Sequence, residues 1–338
     1  MAAISYDPRH HLQVSKANNN GVIVEEIEGL IKLYRDGRVE RPPSVPNVPC
    51  SMASDNFVTA KDVVIDEFTS VWARIYAPSS PSGRLPLLVY FHGGGFCVGS
   101  AAWICYHDFL SNLAAKTSSV IMSVNYRLAP ENRLPSAYDD ATKAVMWLKQ
   151  QASYAHGSLG DQHKWWLSRC NMSRVFLSGD SAGANIAYNV ATRLGSNTRP
   201  LNLKGIILIQ PFFSGETRTS SEKYMSQPAN SALTLSASDA YWRLSLPVGS
   251  TRDHPYCNPL VNGVHKLQVP SVMVCISELD ILKDRNLEFC TALASGGTRV
   301  ERVIYKGVGH AFQILHNSNF SQIRIQEMMS HIRAFINQ

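Results

Sequence analysis

The sequence predicts an α/β fold in which helices cover both faces of a mostly parallel sheet. Six runs rich in Val, Ile and Leu predict strands, and segments with helical periodicity lie between them. A strand that is apolar along its whole length has to be buried on both sides, which is typical of parallel sheets. The 338 residues, 45% of them hydrophobic, suffice for one large domain, and we expect a single domain over residues 1–338.

The predicted elements follow one another regularly after about residue 55. A β-hairpin is expected within residues 61–78, where two β-rich runs flank a short polar turn. The six apolar strands are then expected at residues 85–91, 119–126, 173–179, 204–210, 270–277 and 299–305. Helices are expected near residues 104–117, 135–152, 182–195, 281–294 and 319–337.

Two segments fall outside this alternation. Residues 1 to about 50 are polar and rich in proline, and the amphipathic patch VEEIEGLIKLY within them predicts a short helix. Residues 211–256 follow a predicted strand, are too long for an ordinary loop and have helical periodicity in their second half. We expect the two segments to form a cap above the carboxyl edge of the sheet.

Composition excludes several classes of function. The 32 basic and 26 acidic residues are scattered, which argues against a nucleic-acid partner, and no apolar run is long enough to span a membrane. The N-terminus shows no apolar core of signal-peptide length. The odd number of widely spaced cysteines, seven, favours reduced thiols in the cytoplasm, and no His or Cys spacing suggests a metal or another cofactor.

A candidate nucleophile lies between a predicted strand and a predicted helix. The run Gly179-Asp180-Ser181-Ala182-Gly183 matches the pattern G-x-S-x-G, in which glycines permit a tight turn that exposes the serine hydroxyl. A simple Gly/Ser turn that opens a helix is the alternative interpretation. We expect Ser181 to be the nucleophile.

A base and an orienting carboxylate follow the last two strands. Asp280 comes just after the strand at 270–277, and His310 follows the strand at 299–305, so the chain order is serine, acid, histidine. Asp280 could instead begin the next helix, Asp284 is an alternative acid, and His310 could be an ordinary loop residue. The order and placement favour a Ser181–Asp280–His310 triad.

A loop of three glycines follows the strand at 85–91. His92 precedes Gly93, Gly94 and Gly95, whose bare backbone can bring N–H groups close to a ligand oxygen. The N–H of Ala182, directly after the candidate nucleophile, is a further donor. These four backbone groups are candidates for an oxyanion hole, whereas His92 is expected to hold the loop by hydrogen bonding.

Several motifs together resemble a known family. FHGGGF, NYRLAPENRLPSAYDD, GDSAGAN, SELDILKDR and GVGHAF resemble the hormone-sensitive-lipase-like branch of α/β-hydrolases, and LIKLYRDGRVERPP is similar to the plant carboxylesterases of that branch. The resemblance runs from about residue 25 to the C-terminus. It implies an α/β-hydrolase fold and serine esterase chemistry without a cofactor, with Gly94, Gly95 and Ala182 as oxyanion donors and Gly93 forming the turn. Ala184 stands where relatives usually have glycine.

The resemblance leaves the reaction open, because one fold hosts many functions. The same plant group includes a hormone receptor that lacks the triad histidine, dehydratases with an altered glycine loop, and cyclases. His310 and the three glycines argue against the first two, whereas a lyase or cyclase with an intact triad remains an alternative to hydrolysis of small carboxylic esters.

Two further sets of side chains are singled out. Arg127, Glu131 and Asp139 are expected to form a charge network that holds the loop after the strand at 119–126. Aromatic residues near the predicted cap and glycine loop are candidates for a substrate pocket, although each could equally belong to the core; they are Phe96, Phe212, Phe213, Tyr241 and Trp242.

Overall fold

The structure is a computed structural model that describes residues 21–52, 57–79, 83–154, 161–195, 198–227, 231–264, 267–315 and 318–338. The strands within these ranges are β1 (Ile23–Ile27), β2 (Ile31–Tyr34), β3 (Val39–Glu40), β4 (Val58–Asp66), β5 (Val71–Pro78), β6 (Leu85–Phe91), β7 (Val120–Asn125), β8 (Cys170–Asp180), β9 (Leu203–Ile209), β10 (Ser271–Ser277) and β11 (Arg299–Tyr305). The helices are α1 (Ile104–Thr117), α2 (Ser136–Tyr154), α3 (Asp161–Leu167), α4 (Ala182–Leu194), α5 (Ser220–Tyr224), α6 (Leu235–Ser245), α7 (Lys283–Ser295), α8 (Phe312–Leu315) and α9 (Asn319–Ile336).

The central sheet contains strands β4 to β11 in the spatial order β11-β10-β9-β8-β6-β7-β5-β4. All neighbours from β11 to β7 pair in parallel, whereas β5 pairs antiparallel with both β7 and β4. The mostly parallel sheet and the β4–β5 hairpin are therefore confirmed. The bounds of β6 and β11 agree with the predicted ones, and the other four apolar strands differ by a few residues at their ends.

The five predicted helices are α1, α2, α4, α7 and α9. Their apolar faces made them visible in the sequence because each is long enough to show several turns of periodicity. The short helices α3, α5 and α8 have seven, five and four residues. A segment of one or two turns carries too little periodicity to be recognised, which is why the sequence did not predict them.

Two apolar layers cover the sheet. Along β6, Leu87, Val89 and Phe91 pack into the layer that contains α2, α4 and α7, whereas Leu88 and Tyr90 pack into the layer of α1 and α9. Every residue of β6 is buried, as expected for a central parallel strand. The rigid two-sided core fixes the carboxyl ends of β6, β8, β10 and β11, where the candidate site residues lie.

The N-terminal patch was predicted to be a helix, and that prediction is wrong. Residues 23–40 form three short antiparallel strands, β1 to β3. Gly29, with φ +71°, makes the turn between β1 and β2, and the N–H of Leu30 donates to the carbonyl of Ile27 at 2.9 Å. A left-handed residue in the middle of the patch ends a helix, while β-branched Ile27 and Ile31 are buried on either side of the turn.

The predicted charge network is also wrong, because its three members have separate partners. Arg127 forms a bidentate pair with the fully buried carboxylate of Asp140, at 2.7 to 3.1 Å, rather than with Asp139. Asp139 lies one residue earlier on α2 and points to Arg193 at 2.7 Å. Glu131 pairs with an arginine of the N-terminal segment. Successive helix residues point about 100° apart, so a one-residue difference changes the partner.

That arginine, Arg41, joins the N-terminal segment to the loops above the sheet. Its guanidinium donates to the carbonyls of Cys97 at 2.6 Å and Ala129 at 2.8 Å, and to Glu131 at 2.6 and 2.7 Å. Cys97 follows the glycine loop closely in sequence. The N-terminal segment is thereby fixed next to the candidate oxyanion loop.

The two segments predicted to form a cap lie against each other. The guanidinium of Arg243 on α6 forms a bidentate ion pair with Glu25 on β1, at 2.8 and 2.9 Å. A second cluster joins the start and the end of the 211–256 segment to α6, because the carboxylate of Asp239 accepts from both Arg218 and Arg252. Residues 1–20 and 228–230 of these two segments lie outside the described residues.

Candidate active site

Ser181 occupies a sharp turn, the elbow, between β8 and α4. Its backbone has φ +52° and ψ −119°, a conformation that residues with a Cβ rarely adopt and that costs about 1–3 kcal/mol. A Cβ placed on Gly183 would lie 1.9 Å from the carbonyl oxygen of Phe91, and one on Gly179 would lie 2.4 Å from the backbone of Gly183. Both glycines of the G-x-S-x-G pattern are therefore required by close approach of the backbone.

The structure brings Ser181, His310 and Asp280 together in one hydrogen-bonded chain. His310 Nε2 lies 2.9 Å from Ser181 Oγ, and His310 Nδ1 lies 2.7 Å from Asp280 Oδ2. All three side chains are buried, with His310 4% and Asp280 1% exposed. With Nδ1 protonated toward the carboxylate, Nε2 is free to accept the serine proton, which is the arrangement a general base needs.

The alternative roles for the acidic residues are resolved by their contacts. Asp284 accepts the backbone N–H of Ser221 at 2.7 Å and so holds the 211–256 segment rather than His310. Helix α7 begins at Lys283, and Asp280 precedes it without capping it. The second oxygen of Asp280 accepts the N–H of Leu282 at 3.0 Å, which fixes the carboxylate toward the imidazole.

The loop glycines divide into one that faces the interior and two that line the cleft. The N–H of Gly93 donates to Asp180 Oδ1 at 3.0 Å and to the hydroxyl of Tyr106 at 2.7 Å. Gly94 and Gly95 line the cleft beside Ser181. Among the hydrogen bonds found in the described residues, none uses the N–H of Gly94, Gly95 or Ala182 as donor. These three N–H groups therefore have no protein acceptor among the described residues, as the oxyanion-hole hypothesis requires.

Two expectations about Gly93 are therefore wrong. Its N–H is engaged by Asp180 and Tyr106, so Gly93 does not belong to the oxyanion hole. It also does not make the turn, because the positive φ values lie at Gly94, +112°, and Gly95, +57°. Gly93 is required by space instead, since a Cβ there would lie 2.6 Å from Asp180 Oδ2.

Asp180 is a fully buried carboxylate that supports the glycine loop from below. Its Oδ1 accepts the hydroxyl of Tyr90 at 2.7 Å as well as the Gly93 N–H, and its Oδ2 accepts the hydroxyl of Tyr106 at 3.0 Å. Burial raises the pKa of Asp180 to about 6, and the donors and His310 oppose that rise only in part. The sequence motifs indicated no role for Asp180, although it lies directly before the candidate nucleophile.

His92 holds the loop, as the sequence predicted. Its Nδ1 lies 2.8 Å from the carbonyl oxygen of Gly93, and its ring stacks on Tyr126 with centroids 4.3 Å apart. Burial lowers the pKa of His92 to about 4, so the ring is neutral near pH 7 and Nδ1 carries the proton toward the carbonyl. The hydroxyl of Tyr126 donates to the His92 carbonyl at 2.8 Å and completes the support.

A cleft lies above Ser181 and His310, and its empty space, including the open solvent at its mouth, is about 630 Å³. Of the five aromatic candidates, Phe212 and Tyr241 line it. The other three, Phe96, Phe213 and Trp242, are core residues, and their assignment to the substrate pocket is wrong. The Trp242 ring stacks under Phe212 at 4.5 Å and contacts Phe96, while Phe213 packs between Tyr188 and Phe289.

Most of the cleft wall is apolar and was not identified from the sequence. Leu30 and Val45 come from the N-terminal segment, and further apolar residues lie after the glycine loop, within the 211–256 segment and after His310. Those further residues are Val98, Trp103, Tyr106, Ala232, Leu233, Ala311, Ile314 and Leu315. The sequence contained one indication of these lining residues. Apolar residues directly after His310 have to lie near the cleft because the chain connects them to the candidate base.

A family model described as the α/β-hydrolase fold matches residues 88–314, a range that includes the glycine loop, Ser181, Asp280 and His310. The chain belongs to this family. The resemblance inferred from the motifs is therefore confirmed, and so is the fold class.

Individual relatives extend the comparison. Probable carboxylesterase 6 of Arabidopsis thaliana is 47% identical over 334 residues, covering 96% of this chain and 96% of that protein. The chloroplastic tuliposide A-converting enzyme 1 of Tulipa gesneriana is 34% identical, over 93% of this chain and 78% of that one. Among solved structures, a hyperthermophilic esterase from the archaeon Pyrobaculum calidifontis is 27% identical with a TM-score of 0.67, covering 81% of this chain and 83% of that chain.

Across the described parts of the chain, the structure has no helix that is long and apolar enough to cross a membrane. The same residues contain no group of three or more His, Cys, Asp or Glu side chains that could hold a metal ion.

The glycine loop yields a testable prediction. We expect Gly94→Ala to lower kcat by about 100-fold or more, because a Cβ there would lie 2.1 Å from the carbonyl oxygen of Val98 and the loop has to move. The free energy of unfolding should also fall by about 1–3 kcal/mol, because alanine is strained at the positive φ of this position. Steady-state kinetics and denaturant unfolding measure the two effects.

A matched control separates strain from function. Gly297 also has a positive φ, +81°, but a Cβ there meets nothing within 4 Å, and it lies outside the cleft. Gly297→Ala should lose stability with kcat within about twofold of the unaltered enzyme. Equal kcat in the two variants would contradict the assignment of Gly94 to the oxyanion loop.

Proposed function

We propose that the chain is a serine carboxylesterase that hydrolyses small carboxylic esters through an acyl-enzyme. The observation that carries this proposal is the Ser181–His310–Asp280 hydrogen-bonded chain beside an apolar cleft, with the N–H groups of Gly94, Gly95 and Ala182 lacking a protein acceptor among the described residues. The family membership and the carboxylesterases among the relatives support the same reaction.

Acylation begins when Ser181 Oγ attacks the ester carbonyl and His310 Nε2 takes the hydroxyl proton. Asp280 stabilises the imidazolium through its bond to Nδ1. The carbonyl oxygen becomes negative and accepts hydrogen bonds from the N–H groups of Gly94, Gly95 and Ala182, where one such donor is worth about 100-fold or more in rate. The imidazolium then protonates the departing alkoxide, and an ester of Ser181 remains.

Deacylation repeats these steps with water. His310 removes a proton from a water molecule, which attacks the acyl carbonyl while the same three N–H groups hold the oxyanion. Return of the proton to Ser181 Oγ releases the carboxylic acid and regenerates the enzyme.

The cleft lining favours esters that are uncharged and apolar on both sides of the ester bond. Among the described lining residues, Asp180 and His310 are the ones that can carry charge, and the hydroxyl of Tyr106 is already bonded to Asp180. A negatively charged acyl chain would lose its hydration without gaining a cationic partner, and it would face the Asp180 carboxylate. The N-terminal strands and residues 211–256 act as the cap that supplies the apolar walls.

The direct test uses chromogenic esters and an active-site probe. We expect turnover of 4-nitrophenyl butyrate, covalent labelling of Ser181 by a fluorophosphonate, and at least about tenfold lower kcat/KM for the mono-4-nitrophenyl ester of succinic acid. No turnover together with no labelling would exclude the esterase reaction. Equal kcat/KM for the neutral and the anionic ester would exclude the proposed charge preference.

A second candidate is a lyase or cyclase that uses the same triad. One relative is named a tuliposide A-converting enzyme and not an esterase, so the names of the relatives leave room for another reaction. Product analysis by mass spectrometry, with the Ser181→Ala variant as reference, distinguishes them. An acid and an alcohol indicate hydrolysis, whereas an unsaturated or cyclised product indicates the alternative. If the unaltered protein binds a small ligand but is not labelled by the fluorophosphonate, a receptor-like role is indicated instead.

We also propose that the enzyme acts in the cytoplasm. All seven cysteines are free thiols and five of them are buried, which suits a reducing compartment. The tulip relative carries the word chloroplastic in its name, so a plastid is the alternative location. A fluorescent protein fused to the C-terminus of the full chain separates the two by microscopy.

A further inference from the structure

Gln210 lies at the carboxyl end of β9, among the loops that carry the triad. Its side chain is fully buried, and its own N–H donates to the carbonyl of Cys275 on β10 at 2.8 Å. Its neighbours contact the nucleophile: the N–H of Ser181 donates to the carbonyl of Ile209 at 2.8 Å, and that of Phe212 donates to the carbonyl of Ser181 at 3.0 Å. Residues 209–212 are therefore bonded to the elbow on one side and to β10 on the other.

The side-chain amide of Gln210 bridges the other two loops. Its Oε1 accepts the backbone N–H of Ala311 at 2.7 Å, and its Nε2 donates to Ser277 Oγ at 2.6 Å. A backbone N–H can only donate, so the Ala311 contact fixes which end of the amide is oxygen. Ala311 directly follows His310, and Ser277 ends the strand that leads to Asp280.

We propose that Gln210 is a positioning residue that holds the loops of His310 and Asp280 in register with Ser181. This inference rests on the proposed esterase function. Above the edge of the sheet the strand ladder no longer fixes the loops, and Ala311 has a left-handed φ of +57° that surrounding contacts must maintain. The Gln210 amide bonds Ala311, next to His310, and Ser277, near Asp280, to residues 209–212, which are already hydrogen-bonded to Ser181.

The required accuracy explains why such a tie matters. His310 has to lie about 3 Å from Ser181 Oγ and from Asp280 at the same time, and a displacement of about 1 Å costs about 100-fold in rate. Gln210 does not line the cleft, so it acts through His310 and not through contact with substrate.

The test is Gln210→Met. Methionine is unbranched and similar in length, so it keeps the volume and the backbone strain at φ +47° while removing both side-chain bonds. We expect kcat for 4-nitrophenyl butyrate to fall about 10- to 100-fold with KM within twofold. The rate constant for fluorophosphonate inactivation should fall by the same factor, because both reactions depend on the placement of His310.

Gln313→Met is the matched control. Gln313 is equally buried and lies three residues after His310, but its amide has no hydrogen-bond partner within the described residues. The control should keep kcat within twofold and unfold at a similar denaturant concentration to the unaltered enzyme. A purely structural role for Gln210 would lower stability in Gln210→Met without the parallel loss of kcat and probe reactivity, and that result overturns the proposal.

Ser277→Ala decides the question if Gln210→Met does not fold. It removes one of the two side-chain bonds and leaves the bond to Ala311, so we expect a kcat about three- to tenfold lower with KM unchanged. An unaltered kcat in Ser277→Ala would then overturn the proposal. If the unaltered enzyme neither turns over the ester nor reacts with the probe, the proposed function is wrong. If the unaltered enzyme is active and the Gln210→Met variant is equally active, only the positioning role of Gln210 is refuted.

Discussion

Ser181→Ala is expected to lower kcat for 4-nitrophenyl butyrate by about 10⁴-fold or more and to abolish fluorophosphonate labelling. The variant loses the nucleophile, whereas the oxyanion donors and the cleft remain, so residual activity above the uncatalysed rate is expected. Alanine keeps the Cβ and therefore the same strained backbone at φ +52°, and the side chain is buried with a single hydrogen bond, to His310. Thermal unfolding should accordingly move by a few degrees at most.

Further substitutions in the triad, alone and combined, test whether its residues act as one catalytic unit. His310→Ala should lose about as much activity as Ser181→Ala, and the double variant should be no slower than either, because the two residues act as one unit. Asp280→Asn keeps the shape but donates from one end of the amide, which favours the wrong imidazole tautomer and should cost about 10⁴-fold. Additive losses, or more than about 1% residual kcat in Ser181→Ala, would contradict the proposed acyl-enzyme.

The convergence of Ser181, Asp280 and His310 was predictable from sequence because its signals are local and ordered along the chain. Each of Ser181, Asp280 and His310 lies shortly after a strand that apolar composition reveals, and parallel strands bring their carboxyl ends to one edge. The same logic placed the glycine loop after β6. Chain order alone therefore determined which loops meet, and the structure adds the distances of 2.9 and 2.7 Å that join them.

The cap and the detailed support of the loop were not predictable in the same way. Whether Phe212 or Trp242 faces the cleft depends on how α6 docks on the core, which is a long-range contact without a local signal. The N-terminal patch has apolar residues compatible with a helix, and one left-handed glycine decides for strands. Gly93 could be assigned only after Asp180 was placed beneath it, since the contact joins residues 87 positions apart.

Asp180 leads to the second prediction, which concerns pH and stability. The pKa of this carboxyl is raised from 3.8 to about 6 in the folded protein, chiefly by burial. The folded state therefore binds the proton more tightly than the unfolded state, and stability falls as pH rises from about 4 to 6. Two pKa units correspond to about 3 kcal/mol, a cost that is fully present above about pH 6 and absent below about pH 4.

Asp180→Asn removes this titration. The free energy of unfolding of the variant, relative to the unaltered enzyme, should increase as pH rises, with most of a change of up to about 3 kcal/mol between pH 4 and pH 6.5. Denaturant unfolding at several pH values measures the difference, and a constant offset from altered hydrogen bonds does not affect its slope. Asp66→Asn is the control, because hydrogen bonds from Lys143 and Thr69 lower the pKa of Asp66 to about 2 and its difference should be flat above pH 4.5.

The same substitution should reduce turnover even where it relieves the buried charge. Two tyrosine hydroxyls and the Gly93 N–H all donate to the Asp180 carboxylate, and an amide offers one acceptor where three donors converge. The loop that presents Gly94 and Gly95 then loses its fixed support, so kcat should fall about tenfold or more while the cleft stays open to substrate. The buried carboxylate of Asp180 costs stability, and its presence beneath the oxyanion loop is explained if the ionised form orients the N–H groups of Gly94 and Gly95. A fully active Asp180→Asn enzyme would show that the loop does not need this support.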